Sequence, residues 1–157
     1  MPEIIGIIPA RGGSKSVPRK NIKLLAGRPL LHYMLRAALG SKYLTKVVIS
    51  SEDEEILEVA RHYGGKDVIV KRPKALARDS SRSIEAVIHA VKTIEEKEDR
   101  RFDYIVMLQP TTPFVTSRDI DKALKLLVSS GAGAVMSVVQ VNDYHPVKLK
   151  RILKDGR

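Results

Sequence analysis

Short apolar runs alternate with amphipathic segments along the whole chain. The apolar runs, which predict β-strands, lie at residues 4–8, 46–50, 67–70, 104–108 and 134–141. Between them, apolar residues recur at the i, i+3, i+4 spacing of a helix that packs on one face. These helices are predicted at residues 29–39, 51–63, 84–94 and 117–130. The alternation of strand and helix predicts an α/β fold with three α-β-α layers, in which a mostly parallel, Rossmann-like sheet lies between helices.

Three polar segments follow predicted strands and are expected to carry the functional site. They cover residues 9–28, 71–83 and 109–116, and prolines interrupt each of them. In a parallel sheet the ligand binds beyond the carboxyl ends of the strands, where these loops would meet.

Two helix starts are also predicted, a capping box formed by Ser51 with Glu54 and a cap at Ser117.

The composition narrows the class of protein. A length of 157 residues predicts a single domain, and the absence of cysteine excludes a disulfide scaffold, a thiol nucleophile and a thiolate metal site. The histidines lack metal-ligand spacing, so no zinc site is predicted. The apolar runs are too short to span a bilayer, and the first residues lack the basic start and long apolar stretch of a signal peptide. We therefore expect a cytoplasmic protein with no membrane partner.

The first polar segment has the composition of a phosphate-binding loop. The net charge is +10, and residues 1–50 hold nine Lys or Arg against a single acid, Glu3. Gly12 and Gly13 allow backbone N–H groups to turn toward an anion, and Ser14 adds a hydroxyl donor. Cations surround this glycine pair in the sequence: Arg11, Lys15, Arg19, Lys20 and Lys23. The segment matches neither a P-loop nor a dinucleotide fingerprint. It predicts phosphate binding, with a tight turn on a solvated basic face as the alternative.

The same segment resembles the opening motif of a known enzyme family. The resemblance rests on Pro9-Ala10-Arg11-Gly12-Gly13-Ser14-Lys15 followed by Pro18, Lys20 and Asn21. It is similar to the motif of the acylneuraminate cytidylyltransferases (CMP-sialic acid synthetases), which are related to the CMP-Kdo synthetases. Ser16 stands where that family usually has glycine. The resemblance implies a fold of the nucleotide-diphospho-sugar transferase type, catalytic roles for Arg11 and Lys20, and nucleotide binding by Ala10, Arg11, Gly12, Gly13, Ser14, Lys20 and Asn21.

The other two polar segments extend this resemblance. Arg72-Pro73, Leu76-Ala77, Asp79 and then Ser83 are similar to the family's second motif, which implies nucleotide recognition by Arg72 and Ser83, while an ordinary basic loop is the alternative. The segment 108–113 resembles Leu-Gln-Pro-Thr-Ser-Pro and implies sugar binding by Gln109, Thr111 and Thr112. His145 resembles a residue near the sugar site and could equally be a turn residue before Pro146. Phe114-Val115 replaces the family's usual Leu-Arg, so a cation expected near an acidic sugar is missing.

The resemblance also implies a reaction, a metal and a partner. CTP and an acidic sugar of eight or nine carbons would give the CMP-sugar and pyrophosphate, with Mg²⁺ as the cofactor. In the family a late pair of aspartates holds this ion, and the chain stops at Arg157 before the corresponding region. No metal ligand is therefore assigned in this chain, and the domain is expected to lack the family's C-terminal metal and dimerisation segment. A homodimer is a further possibility.

Other function classes stay open at the level of sequence. One is a catalytically impaired nucleotide-binding module or fragment of the same family. Another is a hexose-1-phosphate nucleotidylyltransferase, although that class favours an Ala-Ala-Gly turn in the first loop. The basic charge would also suit a nucleic-acid-binding protein, but aromatic residues make up only 4% of the chain and offer few stacking platforms. We therefore expect no nucleic-acid partner.

Overall fold

In the part of the chain that the structure describes, a four-stranded parallel sheet forms the centre, as the alternation of strands and helices predicts. The computed structural model describes residues 2–14, 16–78 and 81–138. The strands of the main sheet are β1 (Ile4–Pro9), β4 (Lys46–Ser51), β5 (Ile69–Lys71) and β6 (Tyr104–Met107). Two short strands between the first two, β2 (Leu24–Leu25) and β3 (Arg28–Pro29), pair separately as an antiparallel hairpin. The order in the main sheet is β5-β4-β1-β6, so β1 lies between two partners.

Helices cover both faces of this sheet and complete the three layers. They are α1 (Leu30–Leu39), α2 (Glu54–Gly64), α3 (Ser83–Glu98) and α4 (Ser117–Ser130). Side chains of α1, α2 and α4 pack with Ile4 and Ile8 on one face. Side chains of α3 pack with Ile5 and Ile7 on the other face. Successive residues of β1 therefore serve opposite cores, as the two-residue period of a strand requires. The predicted three-layer α/β class is confirmed.

Both predicted helix caps are displaced from the residues that the sequence pattern selected. The N-cap of α2 is Asp53, whose Oδ1 accepts a hydrogen bond from the Ile56 N–H at 3.2 Å. Ser51 cannot serve, because it is still in β4, where it lies opposite Lys71 of β5. The cap of α4 is Thr116 instead of the neighbouring serine, and it forms a reciprocal capping box with Asp119. The pairing of Ser51 with Lys71 therefore determines where α2 begins. The capping box between Thr116 and Asp119 determines where α4 begins.

Two strand predictions also need correction. The run at residues 67–70 begins as a 3₁₀ turn, Lys66–Val68, and the strand itself is shifted to Ile69–Lys71. Of the run at 134–141, residues 134–138 form no strand, and residues 139–141 lie outside the described part of the chain. Within the described ranges β6 is an edge of the sheet, and its Ile105 and Met107 are about half exposed. Residues 134–138 do not pair with β6 in the described structure, and this is why β6 is an edge there.

The sheet order determines where the functional loops meet. The polar segments after β1, β5 and β6 all leave the carboxyl ends of parallel strands, and they converge on one side of the sheet. The first of them contains a 3₁₀ turn, Lys20–Ile22, and the β2–β3 hairpin, so it is more regular than a simple loop. Among the described helices, none combines the length and apolar character that crossing a membrane would require.

Candidate functional site

A polar cavity of about 350 Å³ lies at the carboxyl ends of the strands. This volume is at the lower end of what small-molecule sites have, about 300–1,000 Å³. Eight of the residues singled out from the sequence line it: Arg11, Ser14, Lys20, Asn21, Arg72, Ser83, Gln109 and Thr111. The three polar segments thus form one site, as the parallel topology predicts.

The charge of the lining residues selects for an anionic ligand. Among the described residues, five cations contribute to the cavity wall: Arg11, Lys20, Arg72, Arg78 and Arg82. No carboxylate of the described residues is in the lining. Arg78 and Arg82 were not identified from the sequence, although both flank the matched Asp79 and could have been noticed by their charge. Cations collected in a concave wall concentrate phosphate and carboxylate groups.

The backbone N–H groups of the loop after β1 donate to the end of β4, to the Glu52 side chain and to the loop itself. Ala10 is fully buried, and its N–H donates to the Ser50 carbonyl at 3.0 Å. The Gly12 N–H donates to Glu52 Oε1 at 2.8 Å, and the Ser14 N–H donates to the Gly12 carbonyl at 3.0 Å. Neither Ala10 nor the two glycines are in the cavity wall, whereas Ser14 is. Any nucleotide contact by Ala10 would have to use its backbone, because its side chain lies in the core.

Gly12 is required by a close approach to the turn after β4. A Cβ at this position would lie 3.0 Å from Asp53 Cγ and 3.1 Å from Asp53 Cβ. Asp53 cannot easily move aside, since it caps α2 and forms a bidentate ion pair with Arg19. The hydrogen bonds from the Arg19 guanidinium lower the pKa of the Asp53 carboxyl, and the same pair raises the pKa of Arg19. Arg19 also adopts a left-handed backbone conformation, with φ of 54°. The basic loop is thereby attached to the acidic turn.

Asn21 and Lys20 occupy the 3₁₀ turn on the other side of the loop. Asn21 is only 5% exposed, and its Nδ2 donates to the Arg11 carbonyl at 2.9 Å. This bond fixes the backbone from which the Arg11 side chain projects to the cavity. Lys20 lines the cavity as a partly exposed ammonium group, which suits a point-charge contact to phosphate.

Arg72 is buried and ion-paired at the back of the cavity. It is 5% exposed, and its Nε and Nη2 donate to Glu52 Oε2 at 3.1 and 2.9 Å. Its N–H donates to the Ser51 carbonyl at 2.9 Å, which continues the β4–β5 ladder. The family resemblance implies a direct nucleotide contact, and Arg72 does line the cavity. Two of its five guanidinium N–H donors are nevertheless used by Glu52.

The segment after β6 forms a turn at the opposite wall. Gln109 and Thr111 line the cavity. Thr112 is outside the wall, where its Oγ1 donates to the Gln109 carbonyl at 2.8 Å and its N–H donates to the same oxygen at 3.3 Å. Thr112 therefore stabilises the turn that presents Gln109. The predicted residues His145, Lys15 and Asp79 lie outside the described part of the chain.

The residues that the structure describes contain no preformed site for Mg²⁺. Over residues 2–14, 16–78 and 81–138, no group of three or more His, Asp or Glu side chains could hold a metal ion. The cavity wall, as described, is cationic and contains no carboxylate, although Mg²⁺ prefers carboxylate and phosphate oxygens. The donor set present does not fit the predicted ion.

Comparisons with known proteins show which proteins the chain resembles. The family model described as cytidylyltransferase matches residues 5–155. The chain is 37% identical over 155 residues to N-acylneuraminate cytidylyltransferase A of Danio rerio, covering 98% of this chain and 33% of that protein. It is 38% identical over 147 residues to CMP-N,N'-diacetyllegionaminic acid synthase of Legionella pneumophila, covering 94% of this chain and 60% of that protein. The chain thus spans between about a third and three-fifths of the length of these relatives.

A solved structure supports the fold independently. The structure of CMP:2-keto-3-deoxy-manno-octonic acid synthetase complexed with CTP superposes with a TM-score of 0.64 at 21% identity. The match covers 83% of this chain and 49% of that one. At this identity the likeness establishes the shared sheet and helix arrangement.

Proposed function

The chain belongs to the cytidylyltransferase family, and we propose that it binds CTP in the cation-lined cavity and transfers the cytidylyl group to an acidic sugar of eight or nine carbons. The observation that carries the proposal is the convergence of the loop after β1 with Arg72, Ser83 and Gln109 around one cavity. The named relatives act on acidic sugars, which supports the same substrate class here.

The proposed reaction is a single displacement at the α-phosphorus of CTP. The anomeric hydroxyl oxygen of the sugar forms a bond to this phosphorus, the bond to the bridging oxygen of the β-phosphate breaks, and pyrophosphate leaves. The hydroxyl proton passes to solvent. The protein mainly has to hold the reactants in line and neutralise charge on the phosphoryl oxygens.

The residues of the cavity suit these two tasks. Arg11 offers a planar fork for two phosphate oxygens, and Lys20 offers a point charge for the oxygens where negative charge develops. Asn21 holds the backbone of Arg11 in place. Gln109 and Thr111 lie at the wall after β6, and Gln109 can both donate to and accept from a sugar hydroxyl or a base edge.

Several expectations of the resemblance are kept as predictions. Because the described donor set does not fit Mg²⁺, no step of the reaction is assigned to the ion, and its requirement is left to titrations with Mg²⁺ and with a chelator. A homodimer and a cytoplasmic location likewise stay predictions. Sedimentation analysis tests the former and cell fractionation the latter.

Calorimetric titration with CTP, ATP and GTP tests the proposed function. We expect CTP to bind preferentially, and Lys20→Ala to weaken the binding. A hydrogen bond to a charged group contributes about 1.5–3 kcal/mol, which corresponds to a loss of about tenfold to a hundredfold.

Lys23→Ala is the matched control for that titration. Lys23 is an exposed lysine at the end of the same 3₁₀ turn and does not line the cavity. If Lys20→Ala and Lys23→Ala lower the affinity for CTP equally, Lys20 contributes only to the general positive charge and makes no specific phosphate contact. The absence of triphosphate binding by the unmodified chain would refute the proposed function.

A further inference from the structure

A single carboxylate joins two of the three segments that build the cavity. Glu52 lies in the turn between β4 and α2. Its Oε1 accepts the Gly12 N–H at 2.8 Å, and its Oε2 accepts Nε and Nη2 of Arg72 at 3.1 and 2.9 Å. The loop after β1 and the segment after β5 are thus connected through one side chain. Glu52 itself is not part of the cavity wall.

This connection is largely shielded from water. The side chains of Arg72 and Glu52 are 4% and 13% exposed. When an ion pair is removed from water, the loss of one partner leaves an uncompensated buried charge. Because each Glu52 oxygen already accepts at least one hydrogen bond, a change in its position would disturb both segments together.

The backbone near Glu52 strengthens the same connection. The Ser50 carbonyl accepts the Ala10 N–H at 3.0 Å, and the Ser51 carbonyl accepts the Arg72 N–H at 2.9 Å. The last residues of β4 therefore hold the start of both segments by backbone bonds. Glu52 adds the side-chain bond one residue farther along, where regular strand pairing has ended.

We propose that Glu52 is a positioning residue, which fixes the loop at Gly12 and the guanidinium of Arg72 relative to each other before the nucleotide binds. This inference rests on the proposed function, since it concerns the same cavity. Glu52 also balances the charge of Arg72, so Arg72 contributes hydrogen-bond geometry to the wall more than net positive charge. A site that is already arranged does not lose binding free energy by ordering its loops when the ligand arrives.

The substitution Glu52→Gln tests this role with little change in shape. Glutamine offers one oxygen in place of two and introduces a donor, so it cannot accept from Gly12 and from both Arg72 nitrogens together. Glu52→Asp keeps the charge but shortens the side chain, and it serves as the second variant if the glutamine variant does not fold. Glu54→Gln is the matched control, because Glu54 is an exposed neighbour that pairs with Lys71.

Two measurements are made on the full chain at a temperature well below unfolding. The first is the dissociation constant for CTP. We expect Glu52→Gln to weaken binding by about tenfold or more, because the two segments would then have to be ordered when the nucleotide arrives. We expect the aspartate variant to be affected less and Glu54→Gln to remain within about twofold. The second is amide hydrogen exchange at Gly12 without nucleotide, which we expect to accelerate only in the Glu52 variants.

The outcomes separate this inference from the proposed function. A folded Glu52→Gln protein with unchanged Gly12 exchange and unchanged CTP affinity would overturn the positioning role and leave the proposed function intact. Faster Gly12 exchange with unchanged CTP affinity would also overturn it, because a merely structural contact gives that result. If the unmodified chain does not bind CTP, the proposed function fails and the inference that rests on it fails with it.

Discussion

The substitution of Asp53 separates two contributions of one side chain to stability. Asp53 caps α2 through the Ile56 N–H and also pairs with Arg19 of the basic loop. Asparagine is as good an N-cap as aspartate, so Asp53→Asn removes the charge and retains the cap. Asp53→Ala removes both. The difference between the two variants therefore measures the capping hydrogen bond.

The expected losses of unfolding free energy depend on how far the Arg19 and Asp53 side chains are exposed to solvent. The Arg19 and Asp53 side chains are 40% and 19% exposed, so solvent screens the ion pair and we assign it about 0.5 kcal/mol. The negative charge at the N-terminus of α2 contributes about 0.5 kcal/mol more. Loss of the cap costs about 1 kcal/mol. We therefore expect Asp53→Asn to lower the free energy of unfolding by about 1 kcal/mol and Asp53→Ala to lower it by about 2 kcal/mol.

Urea unfolding followed by circular dichroism measures both values. With a slope of about 2 kcal/mol per molar urea, the midpoints should fall by about 0.5 M and about 1 M. Glu58→Gln is the control, since Glu58 is on the same helix and is paired to Arg61 at 3.6 Å on the exposed surface. Equal losses for Asp53→Asn and Asp53→Ala would refute the reasoning, because the cap would then contribute nothing.

Acidification provides a second check on the same residue. Arg19 lowers the pKa of Asp53, so the folded state favours the deprotonated carboxylate. The corresponding stability is present at neutral pH and is lost as the pH falls below about 4, through the lowered pKa. The difference in unfolding free energy between the unmodified chain and Asp53→Asn should shrink over that range. A difference that widens on acidification would contradict the assignment of the lowered pKa to this ion pair.

Three further outcomes are expected. Thr116→Ala removes the capping box of α4 and should lower the unfolding free energy by about 1 kcal/mol, whereas Thr116→Ser should restore most of it in the same urea assay. Gly12→Ala should cost about 1–3 kcal/mol in urea unfolding by forcing the loop against Asp53, while Gly13→Ala, whose Cβ would meet nothing within 4 Å, should be nearly neutral. Added salt, which shortens the Debye length from about 10 Å to about 3 Å, should lower the affinity for CTP measured by calorimetry, because cations line the cavity. An affinity that does not change with salt would argue against phosphate contacts.

The fold and the members of the cavity could be predicted where the signal is local. Apolar runs separated by amphipathic segments determine a parallel sheet, and Gly12-Gly13 among cations indicates an anion loop. Because parallel topology brings loops at strand ends together, Ser83 and Gln109 could be placed with that loop before any coordinates were known. These inferences need only the order of residues along the chain.

The role of Glu52 could not be predicted, because its partners are distant in sequence. Gly12 is 40 residues away and Arg72 is 20 residues away. Read locally, an acidic residue before a helix is explained by the helix dipole alone. The cap at Asp53 was missed for a related reason, since the pairing of Ser51 with Lys71 extends the strand past the serine that looked like a cap. The role of Glu52 and the position of the cap at Asp53 both depend on contacts between elements that are distant in the sequence.

The place of β1 in the sheet has a consequence for the order of events during synthesis. Ile5 lies opposite Lys46 in β4 and opposite Ile105 in β6, so 41 further residues must be made before β1 meets one partner and 100 before it meets the other. At about 5–20 residues per second, the second wait lasts about 5–20 s on the ribosome. Until then one side of a strongly apolar strand is unpaired, which favours association with other nascent chains. The late pairing of β6 with β1 is therefore the step at which slow folding and chaperone dependence should arise.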